Sequence, residues 1–278
     1  MKPPAFDYHA PGDLGEALRI LAEVRGKVLA GGQSLIPMLN MRLVAPGHLV
    51  DINRLTSLAT IDSTGAGVRV GALVRHSAAE RSAAHPLLTR ALKLVAHPVI
   101  RNRGTVVGSL VHADPAAELP AVLAVLGGSV RLARWDGGAE TTRDVDAGEF
   151  FVGPMESAVQ PDELAVSAYF PALGPRTGAT FEEVARRHGD YALAGVCAVV
   201  TLDEDGGIAA ARLACIGVGP TPVVMDVSEP AAVREAAVDR VRPDGDIHAT
   251  AAYRRHLVGV LAERALRNAV REAEARGA

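Results

Sequence analysis

Cysteine is scarce in this 278-residue chain, which contains only Cys197 and Cys215. Two thiolates cannot hold an iron–sulfur cluster, because such clusters take four protein ligands. Long apolar runs are missing as well. The opening stretch, MKPPAFDYHAPGDL, has no apolar run of signal-peptide length, and no uninterrupted apolar span of about 18 residues follows. We therefore expect a soluble, cytoplasmic protein with no membrane span and two buried free thiols.

An excess of positive charge is also absent. The formal net charge is −3, with basic and acidic residues interspersed, so nucleic acid is an unsuitable partner. Aromatic residues make up only 4% of the chain, which predicts an aliphatic core. Hydrophobic residues at 49% and charged residues at 22% are typical of a folded globular protein, and the length allows two domains.

Several common catalytic motifs do not occur. The sequence has no G-x-x-x-x-G-K-[ST] phosphate loop, no G-x-G-x-x-G after a strand, and no G-x-S-x-G elbow. The nine histidines show no zinc-binding spacing, so no metal site is predicted. His112 could act as a ligand or a base, and an exposed or capping histidine is the alternative.

Apolar periodicity divides the chain into three segments. The first 53 residues read as a small α/β unit, with an amphipathic helix at GDLGEALRILAEV between short strands. Shorter strands and helices follow, including a helix from about Pro115 to Leu126. A cluster of glycine and proline, PALGPRTGA, marks a domain junction. Beyond it we expect a hairpin turning at residues 205–207 and a C-terminal packing helix with a solvated face.

One stretch in the first segment, VLAGGQSLIPMLNMRL, reads as a buried strand, two glycines and an apolar helix. Glycine lets the backbone approach a ligand closely, and a helix N-terminus exposes unpaired N–H groups. Together with the Ser34 hydroxyl, these groups are suited to binding phosphate. The alternative is an ordinary turn.

A second stretch, RGTVVGS at residues 103–109, contains the same ingredients. Two such loops in different segments suggest one long phosphate-bearing ligand held between two subdomains, and two unrelated turns are the alternative. Asp114 and Glu118 follow at the predicted start of a helix. They could cap that helix or accept hydrogen bonds from sugar hydroxyls of the ligand, and both roles are compatible.

In combination, AGGQSLIPMLNMRL and IRNRGTVVGSLVHADPAAELP resemble the FAD-binding medium subunits of molybdenum hydroxylases, the xanthine dehydrogenase and carbon monoxide dehydrogenase group. The similarity extends over nearly the whole chain and includes HLVDI, GALVRHS and RRHGDYALAG. It implies an α+β fold. A two-subdomain FAD-binding domain of the vanillyl-alcohol-oxidase (PCMH) type would span residues 1–175, divided near residue 55. A small α+β domain would span residues 176–278.

The resemblance also implies the cofactor-binding residues. The first loop and the second loop would contact the FAD diphosphate, and Asp114 falls within the family's motif. Glu118 would face the ribityl chain, and Tyr191 would lie over the isoalloxazine ring. The family often has Gly-Gly and Asn where this chain has Val107-Gly108 and Ser109. The predicted set is Ala30, Gly31, Gly32, Gln33, Ser34, Leu35, Thr105, Val106, Val107, Gly108, Ser109, Asp114, Glu118 and Tyr191.

The resemblance finally implies partners. Since this chain cannot hold an iron–sulfur cluster, the [2Fe–2S] clusters and the molybdenum cofactor would belong to a small and a large subunit, in a dimer of heterotrimers. Electrons would pass from the clusters to FAD in this chain and then to an external acceptor. None of its residues would be catalytic towards the organic substrate, and the resemblance does not identify that substrate. The alternatives are a self-contained FAD-dependent oxidase or dehydrogenase and a non-enzymatic phospholigand-binding protein.

Overall fold

The structure, a computed structural model, describes residues 2–277. Its helices are α1 (Leu14–Val24), α2 (Leu35–Asn40), α3 (His76–Ser82), α4 (Pro86–Leu92), α5 (Pro98–Arg101), α6 (Val106–His112), α7 (Glu118–Leu126), α8 (Ala147–Phe150), α9 (Val233–Arg240) and α10 (Ala251–Gly277). Its strands are β1 (Asp7–His9), β2 (Lys27–Leu29), β3 (His48–Asp51), β4 (Ile61–Thr64), β5 (Gly67–Gly71), β6 (Ser129–Asp136), β7 (Ala139–Asp146), β8 (Phe151–Gly153), β9 (Glu156–Ser157), β10 (Leu164–Pro171), β11 (Thr177–Ala185), β12 (Ala192–Leu202), β13 (Ile208–Ile216) and β14 (Val223–Asp226).

The first sheet is small and parallel, in the order β1-β3-β2. Helix α1 buries Ala17, Leu18 and Leu21 and packs on β3, as its predicted amphipathic pattern requires. The Asp13 carboxylate caps it by accepting a hydrogen bond from the Glu16 amide at 2.8 Å. Strand β2 lies at the edge of this sheet, so the first loop, which follows β2, lies at the same edge.

The second sheet is antiparallel, in the order β4-β5-β10-β6-β7. Helix α7 contacts β10 of this sheet and also β12 and β13 of the next one. Nearly every α7 residue is buried, because the helix is enclosed between two layers. The helix N-terminus therefore carries Glu118 into the junction between the layers.

The third sheet is antiparallel, in the order β11-β12-β13-β14. One face packs on α4 and α7, and the other packs on the long helix α10. Cys197 and Cys215 belong to the cores on opposite faces of this sheet, and both are free and buried, as predicted. In the described chain, no helix combines the length and apolar character needed to cross a membrane.

The structure corrects three expected elements. Residues 106–112 form α6, although their glycine and β-branched residues do not predict a helix. The helix expected from Pro115 begins at Glu118, since Asp114 Oδ1 accepts a hydrogen bond from the Ala116 amide and holds a turn before it. Helix α2 ends at Asn40, earlier than its apolar pattern indicates. The hairpin between β12 and β13 and the C-terminal helix α10 are confirmed.

Candidate functional site

The two predicted loops lie against each other beside one cavity. An added Cβ at Gly31 would lie 2.5 Å from the Arg103 carbonyl oxygen and 2.8 Å from Gly104 Cα, so no side chain fits between the loops. Gly32 and Gly108 line the same cavity, whose volume is about 510 Å³. The interpretation of the two loops as unrelated turns is therefore wrong.

The first loop presents unpaired hydrogen-bond donors. Gly32 adopts a φ of +73°, which glycine reaches without strain. Asn53 Nδ2 donates to the Ala30 carbonyl oxygen at 2.8 Å and holds the start of the loop. Within residues 2–277, the amides of residues 31–34 donate to no protein acceptor, and the Ser34 hydroxyl does not cap α2. These groups are available to an anionic ligand.

The second loop is held by its own cap. Thr105 Oγ1 accepts a hydrogen bond from the Gly108 amide at 3.1 Å. An added Cβ at Gly108 would lie 2.5 Å from that oxygen, so a larger residue at this position would have to displace the Thr105 side chain. The Thr105 and Val107 amides have no acceptor in the described part of the chain. Ser109 lines the cavity one turn further along α6.

Arg75 links the two loops. Its guanidinium donates to the Arg103 carbonyl oxygen and to Asn53 Oδ1, both at 2.6 Å. Since Asn53 also holds Ala30, a continuous series of hydrogen bonds joins one loop to the other. Sequence reasoning missed Arg75 and Asn53, because their contacts join residues more than 20 positions apart.

The predicted acidic residues Asp114 and Glu118 both line the same cavity, and Glu183 lies close to Glu118. Burial raises the pKa of Glu118 to about 8, and the nearby Glu183 and Asp114 carboxylates add to that rise. Burial also raises the pKa of Glu183 to about 7, and Glu183 Oε2 has no hydrogen-bond partner in the described structure. A protonated Glu118 can both donate to and accept from ligand hydroxyls.

Tyr191 lies at the rim of the cavity, in the loop between β11 and β12. Its side chain is 68% exposed. Gly189 has a φ of +82° and packs so closely on His97 that an added Cβ would lie 2.8 Å from the imidazole ring. The C-terminal segment thus docks on α5 and supplies one wall of the cavity.

The cavity brings together all the predicted site residues except Val106. The Val106 side chain is buried in the core, and its amide donates to the Val74 carbonyl oxygen at 3.1 Å. Sequence reasoning missed several residues that also line the cavity, among them His76, Val95, Ile100, Met155, Val159 and Glu163. Apart from the histidine, these are ordinary core and loop residues that carry no local signal.

These surroundings fit a flavin dinucleotide. The free amides and hydroxyls of the two loops suit a diphosphate, and the carboxyl groups suit a polyol chain. Apolar side chains such as Val95, Ile100 and Leu119 line the remainder and suit an aromatic ring. Among residues 2–277, no three His, Cys, Asp or Glu side chains gather closely enough to hold a metal ion.

Known proteins share this organisation. A family model described as "FAD binding domain in molybdopterin dehydrogenase" matches residues 4–173, and "CO dehydrogenase flavoprotein C-terminal domain" matches residues 179–269. The chain is 40% identical to the 6-hydroxypseudooxynicotine dehydrogenase complex subunit alpha of Paenarthrobacter nicotinovorans, over 98% of this chain and 97% of that subunit. It is 34% identical to the carbon monoxide dehydrogenase medium chain of Hydrogenophaga pseudoflava, over 96% of this chain and 97% of the relative.

A chain in the crystal structure of quinoline 2-oxidoreductase from Pseudomonas putida 86 has the same fold. It superposes with a TM-score of 0.89 at 33% identity and covers 98% of this chain and 99% of its own length. The predicted α+β fold, with an FAD-binding domain followed by a C-terminal domain, is confirmed. The chain belongs to the family of FAD-binding medium subunits of molybdenum hydroxylases.

Proposed function

We propose that this chain holds FAD in the shared cavity and transfers electrons as the medium subunit of a molybdenum-containing dehydrogenase complex. The observation that carries the proposal is the convergence of two donor-rich loops on one cavity. Residues 30–35, Thr105 and residues 107–109 bind the diphosphate. Asp114 and Glu118 bond to ligand hydroxyls, with Glu118 facing the ribityl chain, and Tyr191 lies beside the flavin ring. Residues 1–175 form the FAD-binding domain, and residues 176–278 close the cavity at Tyr191.

Bound FAD supplies the capacity to accept and release electrons, and the chain's own residues bind, orient and shield it. Cys197 and Cys215 lie in cores on opposite sheet faces, so this chain provides no cysteine cluster for iron. A small [2Fe–2S] subunit therefore supplies the electrons, and a large molybdenum subunit performs the organic chemistry. We further propose a dimer of such heterotrimers in the cytoplasm, a reducing compartment that suits two free thiols.

The relatives' names support a role separate from substrate choice. Proteins named for caffeine, carbon monoxide and a nicotine derivative align with 80–98% of this chain. Because carbon monoxide has no structural similarity to the nitrogen heterocycles in the other two names, the property that the aligned subunits have in common is the electron-transfer step. The organic substrate is then selected by the large partner.

Titration of the purified apo-protein with FAD tests the cofactor assignment. Flavin absorbance and fluorescence quenching should saturate at one FAD per chain. Gly32→Asp should abolish binding, because it places a carboxylate beside the diphosphate. Gly65→Asp is the matched control, since Gly65 has no atom within 4 Å of an added Cβ and lies outside the cavity. Retention of FAD by Gly32→Asp at the wild-type affinity would contradict the first-loop assignment.

Gentle purification from the native host tests the partner assignment. Tagged protein should bring two further subunits together with molybdenum and iron in a fixed ratio. A flavin-loaded chain that oxidises substrates without such partners would support the self-contained oxidase instead. A colourless chain that never gains flavin absorbance would support a non-enzymatic binding protein.

A further inference from the structure

His76 lies beneath the second loop and contacts it at three residues. Its side chain is only 3% exposed, at the start of α3. Its backbone amide donates to the Gly104 carbonyl oxygen at 2.9 Å. Its ring is so close to Gly104 that an added Cβ there would lie 2.9 Å from Nδ1. On the other side of the ring, Nε2 lies 2.9 Å from both the Thr105 carbonyl oxygen and Ser109 Oγ.

These distances determine where the imidazole proton lies. The Thr105 carbonyl oxygen can only accept, so Nε2 carries the proton. Nδ1 is buried with no partner in the described chain, so a second proton there would be left without an acceptor. Burial accordingly lowers the pKa of His76 to about 4, and the Arg101 and Arg75 charges add to that effect. The ring is therefore neutral near pH 7.

The tautomer has a consequence for Ser109. Because Nε2 donates, Ser109 Oγ accepts at that contact, and its own proton is not used there. No other protein group in residues 2–277 bonds to this hydroxyl, and Ser109 lines the cavity. The hydroxyl proton of Ser109 is therefore free to bond to a ligand in the cavity. The hydrogen bond from the imidazole restricts rotation of the hydroxyl group.

We infer that His76 is a positioning residue of the FAD site, which holds the Ser109 hydroxyl so that it donates to a diphosphate oxygen. This inference rests on the proposed function. It differs from a packing role, because a packing role predicts that leucine, which fills a similar volume, can replace His76 without a loss of FAD affinity.

A double-mutant cycle of FAD affinity tests whether His76 acts through Ser109. A hydrogen bond to a charged group corresponds to about tenfold or more in affinity, so Ser109→Ala and His76→Leu should each weaken FAD binding by that factor. The double variant should be within about threefold of the weaker single variant, because the two residues act as one unit. Additive losses, or a wild-type affinity for His76→Leu, would overturn the inference.

Two further variants sharpen the test. His76→Gln can place an N–H near the position of Nε2 and should keep the affinity within about threefold of wild type. His85→Leu is the matched control, since His85 is a buried histidine of the same domain that bonds to the Pro171 carbonyl oxygen and does not line the cavity. It should leave the FAD affinity of the folded protein unchanged. Loss of binding in His76→Gln and His85→Leu alike would assign His76 to packing.

A measurement on the unmodified protein covers the case in which His76→Leu does not fold. An ordinary histidine has a pKa near 6.5. Nitrogen-15 chemical shifts should instead show that the His76 ring stays neutral, with its proton on Nε2, between about pH 5 and 9. Protonation at Nδ1 would overturn the inference. If wild-type protein binds no FAD at all, the proposed function fails instead, whatever the tautomer.

Discussion

Replacing Gly31 with alanine perturbs the contact between the two loops with a single methyl group. The new Cβ would lie 2.5 Å from the Arg103 carbonyl oxygen, whereas ordinary contact begins at 3.4 Å. The loops must therefore separate by about 0.9 Å, and both partners are backbone atoms with little freedom to move. The backbone of Gly31 itself does not need glycine, since its φ is not positive. The expected effect is thus purely steric.

The size of the effect follows from this overlap. Overpacking of one methyl group typically costs about 1–3 kcal/mol. If the loops separate in the apo-protein, FAD must restore the contact, and its affinity falls by about 5- to 150-fold. If the loops stay together, the strain remains in the apo-protein and lowers its melting temperature by about 2–4 °C per kcal/mol.

Calorimetric FAD titration and thermal unfolding of the apo-protein together measure both outcomes. Gly47→Ala is the control, because Gly47 has no atom within 4 Å of an added Cβ and no positive φ. It should change neither quantity beyond experimental error. A Gly31→Ala protein with wild-type affinity and wild-type melting temperature would refute the close contact of the loops.

Two other predictions concern the acidic side chain and the aromatic rim of the cavity. The folded protein keeps the Glu118 proton up to about pH 8, whereas the unfolded chain loses it near pH 4.5, so the free energy of unfolding of apo-protein should fall as pH rises between these values. Glu118→Gln should reduce this dependence of the unfolding free energy on pH, by at most about 1.4 kcal/mol per pH unit. Urea titrations at several pH values measure it, and an equal pH dependence in the two proteins would contradict the buried, protonated carboxyl group. Tyr191→Ala should retain FAD, because the diphosphate loops are untouched, but should shift the flavin midpoint potential or its reoxidation rate. Unchanged values in a redox titration and a stopped-flow assay would remove Tyr191 from the site.

Local sequence identified the loops because their chemistry is local. Each loop combines glycine and a hydroxyl within a few positions: Gly31, Gly32 and Ser34 in the first loop, and Gly108 and Ser109 in the second. Helices α1 and α10 were predictable for a similar reason, since apolar spacing reports a buried face directly. Helix α6 was not predictable, because its residues favour a strand. The Thr105 cap and the hydrogen bond from Val106 to Val74 support its first turn.

The sequence by itself determined which residue types form the site: two glycine-containing loops and two nearby carboxyl groups. It also determined that the chain has too few cysteines for an iron–sulfur cluster. Only the tertiary structure decided how the loops and carboxyl groups combine. It placed Gly31 against Arg103, joined the loops through Arg75, and set His76 beneath Ser109. It also raised the pKa of Glu118 by burying it beside Glu183, 65 positions away. Hydrogen bonds and burial depend on distance in space, which no local pattern of residues encodes.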